Sequence, residues 1–462
     1  NGAITVIYSG DGAVATNGFW SALTIATTLK LPVLFIVEDN SWAISVRGEL
    51  QTPGANIAEN LKSFKNLFII DGSGSDPAET AELTKKAVDK VRKGNGPGLL
   101  RLTVPRLSGH SGQDTAAYKS EDEVEEEKNA DPLPKLRDYL VDGGYMSGSD
   151  WKKLFKDVEK KVRASAESAM SRPEPDPATA GKWEFSELDE QGEFIVQQKG
   201  GVRPEGFEWP ETTEEPQPEA TRINGVTAIR RTLEHELKVN PKLLIFGEDV
   251  GAKGGVHAAT MGLMDKYGDE RVFDTSLSEE GIIGRAEGMA LAGLMPVPEI
   301  QFRKYADPAH ERLRNIGTMR WRTVNRFAAP MVVRMPGGFF KVGDPWHSYC
   351  DEVQFAHFAG WWCAYPSNAE DTVGLLRTAL RANEPVMFFE HRNLLDNADA
   401  RRPYPGDDFA IPFGKAKMIQ EGDELTIVTW GAMVHRSTKA AKRSEASVEI
   451  IDLRTIMPWD KE

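Results

Sequence analysis

Asp11 stands between two glycines, Gly10 and Gly12, just beyond the apolar run Ile4-Thr5-Val6-Ile7-Tyr8. Asn40 follows a second apolar run, Val33-Leu34-Phe35-Ile36-Val37, within Glu38-Asp39-Asn40. Magnesium takes oxygen ligands in near-octahedral geometry, one or two from carboxylates and the rest from phosphate and water. Asp11 offers a carboxylate, Asn40 an amide oxygen, and the turn beyond it a backbone carbonyl at Trp42. Gly10 and Gly12 let the chain approach a diphosphate, helped by the N-terminal end of the helix that follows. The candidate ligand contacts are therefore Gly10, Asp11, Gly12, Ala13 and Asn40, with Asp11, Asn40 and Trp42 for the metal. Taken alone, an Asp-Gly pair is more often a surface turn.

These groups act together only if the chain sets them side by side. Between the two apolar runs, Phe19 to Lys30 has helical character and is stopped at Pro32. Two short β-branched runs with a helix between them read as a parallel βαβ unit. Asp11 and Asn40 then sit at the carboxyl ends of neighbouring strands, where open α/β sheets bind ligands. Further strands are expected at Leu67-Phe68-Ile69-Ile70-Asp71 and from Gly98 to Val104, with a helix from Asp76 to Arg92. From Glu121 to about Met170 the chain reads as helical and highly charged, a solvated face.

Gly10-Asp11-Gly12 with Asp39-Asn40 resembles the thiamine diphosphate motif, in which G-D-G is followed after a spacer by a pair ending in N. Gly10 to Ser45 resembles the α subunit of the decarboxylating component of 2-oxo acid dehydrogenase complexes. Asp39 departs from the family, which often has a first Asn there. The stretch from about Ala220 to Glu462 resembles the β subunit of the same enzymes. Its matching motifs are Gly247-Glu248-Asp249-Val250, Asp274 to Gly281, Glu299-Ile300-Gln301-Phe302 and Asp452-Leu453-Arg454-Thr455. The resemblance implies an α–β fusion that is a fragment, lacking the start of α and most of the β carboxyl-terminal domain.

It also implies the remaining site residues. Glu279 matches the glutamate that bonds a ring nitrogen of the cofactor's aminopyrimidine; the other reading is a helix start, which Ser278 and Glu279 both favour. Leu277 matches the apolar residue that props the cofactor into its bent shape, and Tyr305 a residue beside the pyrimidine. His110, in a glycine-rich loop, and His347, in Gly343-Asp344-Pro345-Trp346-His347-Ser348, match histidines aimed at the reactive carbon. Imidazole suits proton delivery near pH 7, although a loop histidine considered alone is more often simply solvated. In the His110 loop, Ser108 stands where many members have His, and Lys119 where Arg is frequent. Ser111 matches a position phosphorylated in mitochondrial relatives.

The expected fold is α/β. It comprises a diphosphate-type open parallel-sheet domain over 1–170, a Pro/Glu-rich linker over 171–218, a pyrimidine-type domain over 219–405, and the start of a transketolase-like carboxyl-terminal domain over 406–462. At 462 residues the chain has room for roughly three domains. A net charge of -14 argues against nucleic acid or anionic membrane as partners. No apolar run approaches the roughly 20 residues needed to span a bilayer. Only Cys350 and Cys363 occur, no disulfide framework, which points to the cytoplasm; both are expected to be small buried hydrophobes.

The implied cofactors are thiamine diphosphate and Mg2+. The implied reaction is decarboxylation of a 2-oxo acid with reductive acyl transfer to a lipoyl group on a partner acyltransferase. The framework segments Glu299-Ile300-Gln301-Phe302, Trp430-Gly431-Ala432 and Asp452-Leu453-Arg454-Thr455-Ile456-Met457-Pro458-Trp459-Asp460 look closer to branched-chain than to pyruvate members. Relatives are α2β2, so a homodimer mimicking that arrangement is expected. Rival readings are a pyruvate or acetoin dehydrogenase component, a transketolase-like enzyme, and a degenerate paralogue that binds cofactor without catalysis.

Overall fold

The computed structural model describes residues 2–191, 195, 209–342 and 345–462. Residues 192–194 and 196–208 of the expected linker, and Gly343 and Asp344 ahead of His347, lie outside the described residues. The chain divides into two compact units, Asn1–Pro175 and Asp176–Glu462.

The first unit is built from β1 (Thr5–Gly10), α1 (Asn17–Thr28), β2 (Val33–Asp39), β3 (Phe68–Ser73), α2 (Pro77–Arg92) and β4 (Gly98–Thr103). Three helices follow, α3 (Glu121–Asn129), α4 (Pro132–Asp142) and α5 (Gly148–Met170). The four strands are parallel in the order β1-β2-β4-β3. Alternate residues of β2 feed opposite faces, as a pleated strand requires. Phe35 and Val37 pack with Leu23 of α1 on one face, and Leu34 and Ile36 with Ala87 and Val91 of α2 on the other. A sheet covered on both faces explains why β2 is a continuous apolar run rather than an alternating one.

Helix ends follow local chemistry. Asp76 caps α2, its carboxylate accepting from the amides of Ala78 and Glu79 at 2.9 and 3.0 Å, with Pro77 in the first turn. The stretch expected to be helical over 121–170 is divided into three helices. Asp131 and Pro132 start a new one, and Gly143, with Gly144 at φ +71°, ends it before Ser147 caps the last.

The second unit contains α6 (Gly225–Val239), β5 (Leu243–Gly247), β6 (Val272–Asp274), α7 (Glu279–Leu291), β7 (Met295–Glu299), β8 (Met331–Gly337), β9 (Trp362–Ala364), α8 (Ala369–Arg381) and β10 (Pro385–His391). It ends with β11 (Lys417–Gln420), β12 (Leu425–Thr429), α9 (Ala432–Ala441), β13 (Val448–Asp452) and β14 (Thr455–Met457). Its large sheet runs β14-β9-β10-β8-β7-β5-β6, parallel throughout except that β14 is antiparallel to β9. A small sheet, β11-β13-β12, carries the last segment.

Three central strands are tied near their carboxyl ends by a buried ion triad. Arg334 of β8 reaches Glu299 of β7 at 2.6 Å and Glu390 of β10 at 2.7 Å. One cysteine expectation is corrected: Cys363 is buried, whereas Cys350 is exposed, its Sγ lying 3.2 Å from Glu352 in a polar cluster with Arg303 and Tyr365.

Candidate active site

In the first unit the candidate residues gather at the carboxyl edge of β1 and β2. These strands pair in parallel register through Gly10 opposite Glu38, which brings Asp11 and Asn40 to adjacent strand ends. Asp11 is only 6% exposed, and its Oδ2 has no hydrogen-bond partner among the described residues. Burial, and then the charge of Asp39, raise its carboxyl above the usual range, while amides of Asp11 and Asn40 partly offset this. A buried acceptor without a donor is costly unless a cation or ligand meets it.

Asp39 is not a ligand candidate. Its Oδ2 takes the Arg101 Nε–H at 2.7 Å, and its Oδ1 accepts from the Ser41 amide at 2.9 Å. Arg101 also bonds Asp71 at 2.9 Å, so one guanidinium binds β2, β4 and β3 together. The departure of Asp39 from the family pattern thus carries a structural task.

Asn40 Oδ1 accepts the Trp42 amide at 3.0 Å, which shapes the turn; an amide oxygen keeps a second lone pair for a metal. Ser41 at φ +63° and Ile44 at φ +56° bend the chain sharply on either side of Trp42. A Cβ on Gly12 would lie 2.7 Å from the Ala43 Cβ, so the glycine loop and the Asn40 turn approach too closely for any side chain there. These features fit a metal-bound diphosphate: one buried carboxylate with a vacant oxygen, a neighbouring amide oxygen, and a backbone cradle. Among the described residues no cluster of three or more His, Cys, Asp or Glu could hold a metal; magnesium with phosphate and water ligands needs none.

The loop bearing His110 is fastened to the same turn. Arg106 donates to the Ile44 carbonyl at 2.5 Å, and the Tyr118 hydroxyl reaches it at 3.2 Å and Asp114 at 2.9 Å. Asp114 also accepts the His110 amide at 2.7 Å, and these donors hold its carboxyl below the usual range. A Cβ on Gly109 would lie 2.1 Å from the Asp114 carbonyl, so only glycine fits there. Lys119 is paired with Glu127 at 2.5 Å and donates to the Arg106 carbonyl, so lysine serves where arginine is frequent. The His110 side chain is exposed.

In the second unit another set of candidate residues lies at the carboxyl edge of the large sheet. Ser278 caps α7, accepting from Gly281, which places Glu279 in the first helical turn. Leu277, just ahead, is 82% exposed. The Tyr305 hydroxyl meets His347 Nε2 at 2.9 Å, and the imidazole stacks on Phe302 at 3.9 Å between centroids. Glu279, Tyr305 and His347 therefore all fall at strand ends or helix starts of one edge.

Sequence reasoning did not single out Glu248. It follows β5, is 8% exposed, and its Oε1 has no hydrogen-bond partner among the described residues. Burial first, and then the charges of Glu279 and Asp249, push its carboxyl up to about 7. The available signal was the acid pair Glu248-Asp249 at the end of an apolar strand. Phe302 was quoted only as framework, yet it is the surface on which His347 rests.

Comparison with known proteins defines the class first. Residues 222–397 match the transketolase pyrimidine-binding domain and 414–462 the transketolase carboxyl-terminal domain. A transketolase variant from Pichia stipitis superposes with a TM-score of 0.58 at 14% identity, over 100% of this chain and 66% of that one, which shows a shared fold. The molecule is thus an α/β protein of the thiamine diphosphate-dependent, transketolase-like class. Residues 1–178 match the dehydrogenase E1 component. The 2-oxoisovalerate dehydrogenase β subunit of Bacillus subtilis is 39% identical over 241 residues, 51% of this chain and 73% of that protein. The pyruvate dehydrogenase E1 β subunit of the same organism is 41% identical over 239 residues, with 51% and 73% covered. The chain belongs to the E1 components of the 2-oxo acid dehydrogenases, with α-type and β-type portions in one polypeptide.

Proposed function

We propose that the protein catalyses oxidative decarboxylation of a 2-oxo acid, branched-chain acids favoured, with reductive acyl transfer to the lipoyl group of a partner acyltransferase. The observation that carries this reading is the unpartnered, buried Asp11 carboxylate beside the Asn40 turn. Asp11, Asn40 and the Trp42 carbonyl would hold Mg2+, and Gly10, Gly12 and Ala13 the diphosphate. Thiamine diphosphate, when bound, supplies the electron sink that decarboxylation needs.

The protein's own groups manage protons and position. Glu279 would bond a ring nitrogen of the aminopyrimidine and would share a proton with it. Glu248, held neutral for part of the time near pH 7, keeps a second proton close to Glu279. His347 is oriented by Tyr305 and Phe302, and His110 by the Asp114 loop; both are proton carriers. Leu277 would present an apolar side chain to the cofactor.

No helix among the described residues is long and apolar enough to cross a membrane. The reading places the enzyme in the cytoplasm, as a homodimer mimicking α2β2. Mixing Asp11→Ala with Glu279→Gln chains tests the assembly. Regained activity supports sites shared between chains, and an active monomer by light scattering contradicts the dimer.

Turnover of 2-oxoisovalerate against pyruvate, with a lipoylated acyltransferase domain as acceptor, tests the reaction. The branched acid is expected to have the higher kcat/KM by tenfold or more. Pyruvate is the second reading, favoured by the similar identity to the pyruvate dehydrogenase β subunit. No turnover of either acid would refute both.

A further inference from the structure

Helix α5 of the first unit presents an apolar stripe that the proposed reaction does not use. Trp151, Leu154, Phe155, Val158 and Val162 recur at the three- and four-residue spacing that sets them on one helix face. Every residue from Lys152 to Met170 is nevertheless exposed, with Phe155 and Val162 keeping 57 and 64% of their surface in water. Helices in proteins draw most of their stability from packing such a face, not from propensity. A continuous apolar stripe left in water marks an interaction surface.

Beside the stripe lies a groove of about 610 Å3, walled by Arg137 and Val141 of α4 and by Trp151, Lys152, Phe155 and Lys156 of α5. Its two acids are already engaged: Asp138 pairs with Arg137 at 2.6 Å and Glu159 with Arg163 at 3.2 Å. Lys152 and Lys156, one turn apart, make no ion pair among the described residues. The charge left uncompensated along the apolar stripe is therefore positive.

An occupant must cover a stripe one helix wide and bring carboxylates to two cations. A helix with apolar residues at i, i+3, i+4 and i+7 presents a matching face, and acidic flanks supply the charge. A twofold pairing of the groove with itself would set the same positive patch against its own copy. We propose that the groove between α4 and α5 is a docking surface for an acidic amphipathic helix of another protein. Its apolar face lies on Trp151, Phe155 and Val158, and its carboxylates reach Lys152 and Lys156.

The probe is a labelled helical peptide with leucines on one face and glutamates at the flanks, together with its twin carrying lysines in place of the glutamates. Both are titrated into the intact protein by fluorescence anisotropy. The variants are Phe155→Ser, which removes apolar surface at an exposed position, and Lys152→Gln combined with Lys156→Gln, which removes the charge. Far-ultraviolet circular dichroism checks that each keeps the wild-type helix content. The wild type is expected to bind the glutamate peptide at least tenfold more tightly than the lysine twin, and each variant to weaken that binding at least tenfold. No binding of the glutamate peptide, equal binding of the two peptides, or wild-type affinity in either variant overturns the proposal. So does sedimentation showing that the wild type self-associates and that Phe155→Ser splits the assembly, because a second copy then covers the stripe.

Discussion

The Tyr305 hydroxyl and His347 Nε2 are 2.9 Å apart, and Phe302 stacks on the same imidazole. The ring is therefore fixed in plane and in rotation before any substrate arrives. Tyr305→Phe keeps the aromatic packing and removes the bond. A neutral hydrogen bond contributes about 1 kcal/mol, so kcat should fall roughly fivefold with KM little changed. Tyr305→Trp, which keeps an aromatic body without the phenol, should not restore kcat. An unchanged kcat would show that Phe302 alone positions His347.

Glu279→Gln retains size and some hydrogen bonding but cannot share a proton. Cofactor affinity should weaken only a few-fold, while proton exchange at the thiazolium carbon, followed by deuterium quench and NMR, slows by orders of magnitude. Exchange at the wild-type rate would reduce Glu279 to a residue of the first helical turn.

Glu248 gives a signature in stability. The folded protein holds this carboxyl at about 7, against 4.5 ordinarily, so the native state binds the proton more tightly than the unfolded chain. The associated stability is fully present below about pH 4.5 and is lost as pH rises through 7, a change of about 3 kcal/mol. Glu248→Gln should flatten that part of the curve. Urea unfolding of both proteins without cofactor, from pH 5 to 8, measures it; parallel curves would mean the carboxyl ionises normally.

Much of the first half was legible because local chemistry and tertiary position agree there. Apolar runs ending in Gly10-Asp11-Gly12 and Asp39-Asn40 marked two strand ends, and the helix between them made the strands parallel neighbours. The helix expected from Asp76 to Arg92 was equally plain from its periodicity and forms over Pro77–Arg92. What stayed hidden depends on strand order. Arg101 reaches both Asp39 and Asp71 only because β4 inserts between β2 and β3, and no spacing rule reports that. Glu248 looked like framework because its unusual carboxyl comes from burial and from Glu279, 31 positions away in sequence. Cys350 was misjudged because a small thiol is usually buried, whereas this one lies in a polar cluster with Arg303 and Glu352.

Arg101→Leu tests the strand-order argument. It leaves Asp39, 4% exposed, without its cation, and removing one partner of a buried pair costs about 3–5 kcal/mol. The first unit should unfold at clearly lower urea concentration. Arg101→Lys, a point charge unable to fork between Asp39 and Asp71, should lose part of that stability. Denaturation curves that overlay wild type would make the triad incidental.

The account rests most heavily on Asp11 as the bridge between metal and diphosphate. Isothermal titration of thiamine diphosphate, in saturating Mg2+, into the intact wild-type protein and its Asp11→Ala variant addresses this directly. The wild type should bind with a clear heat, and the variant should bind at least a hundredfold more weakly, as should the wild type stripped of divalent metal. Equal affinity of the variant and wild type in Mg2+ would contradict the assignment of this site.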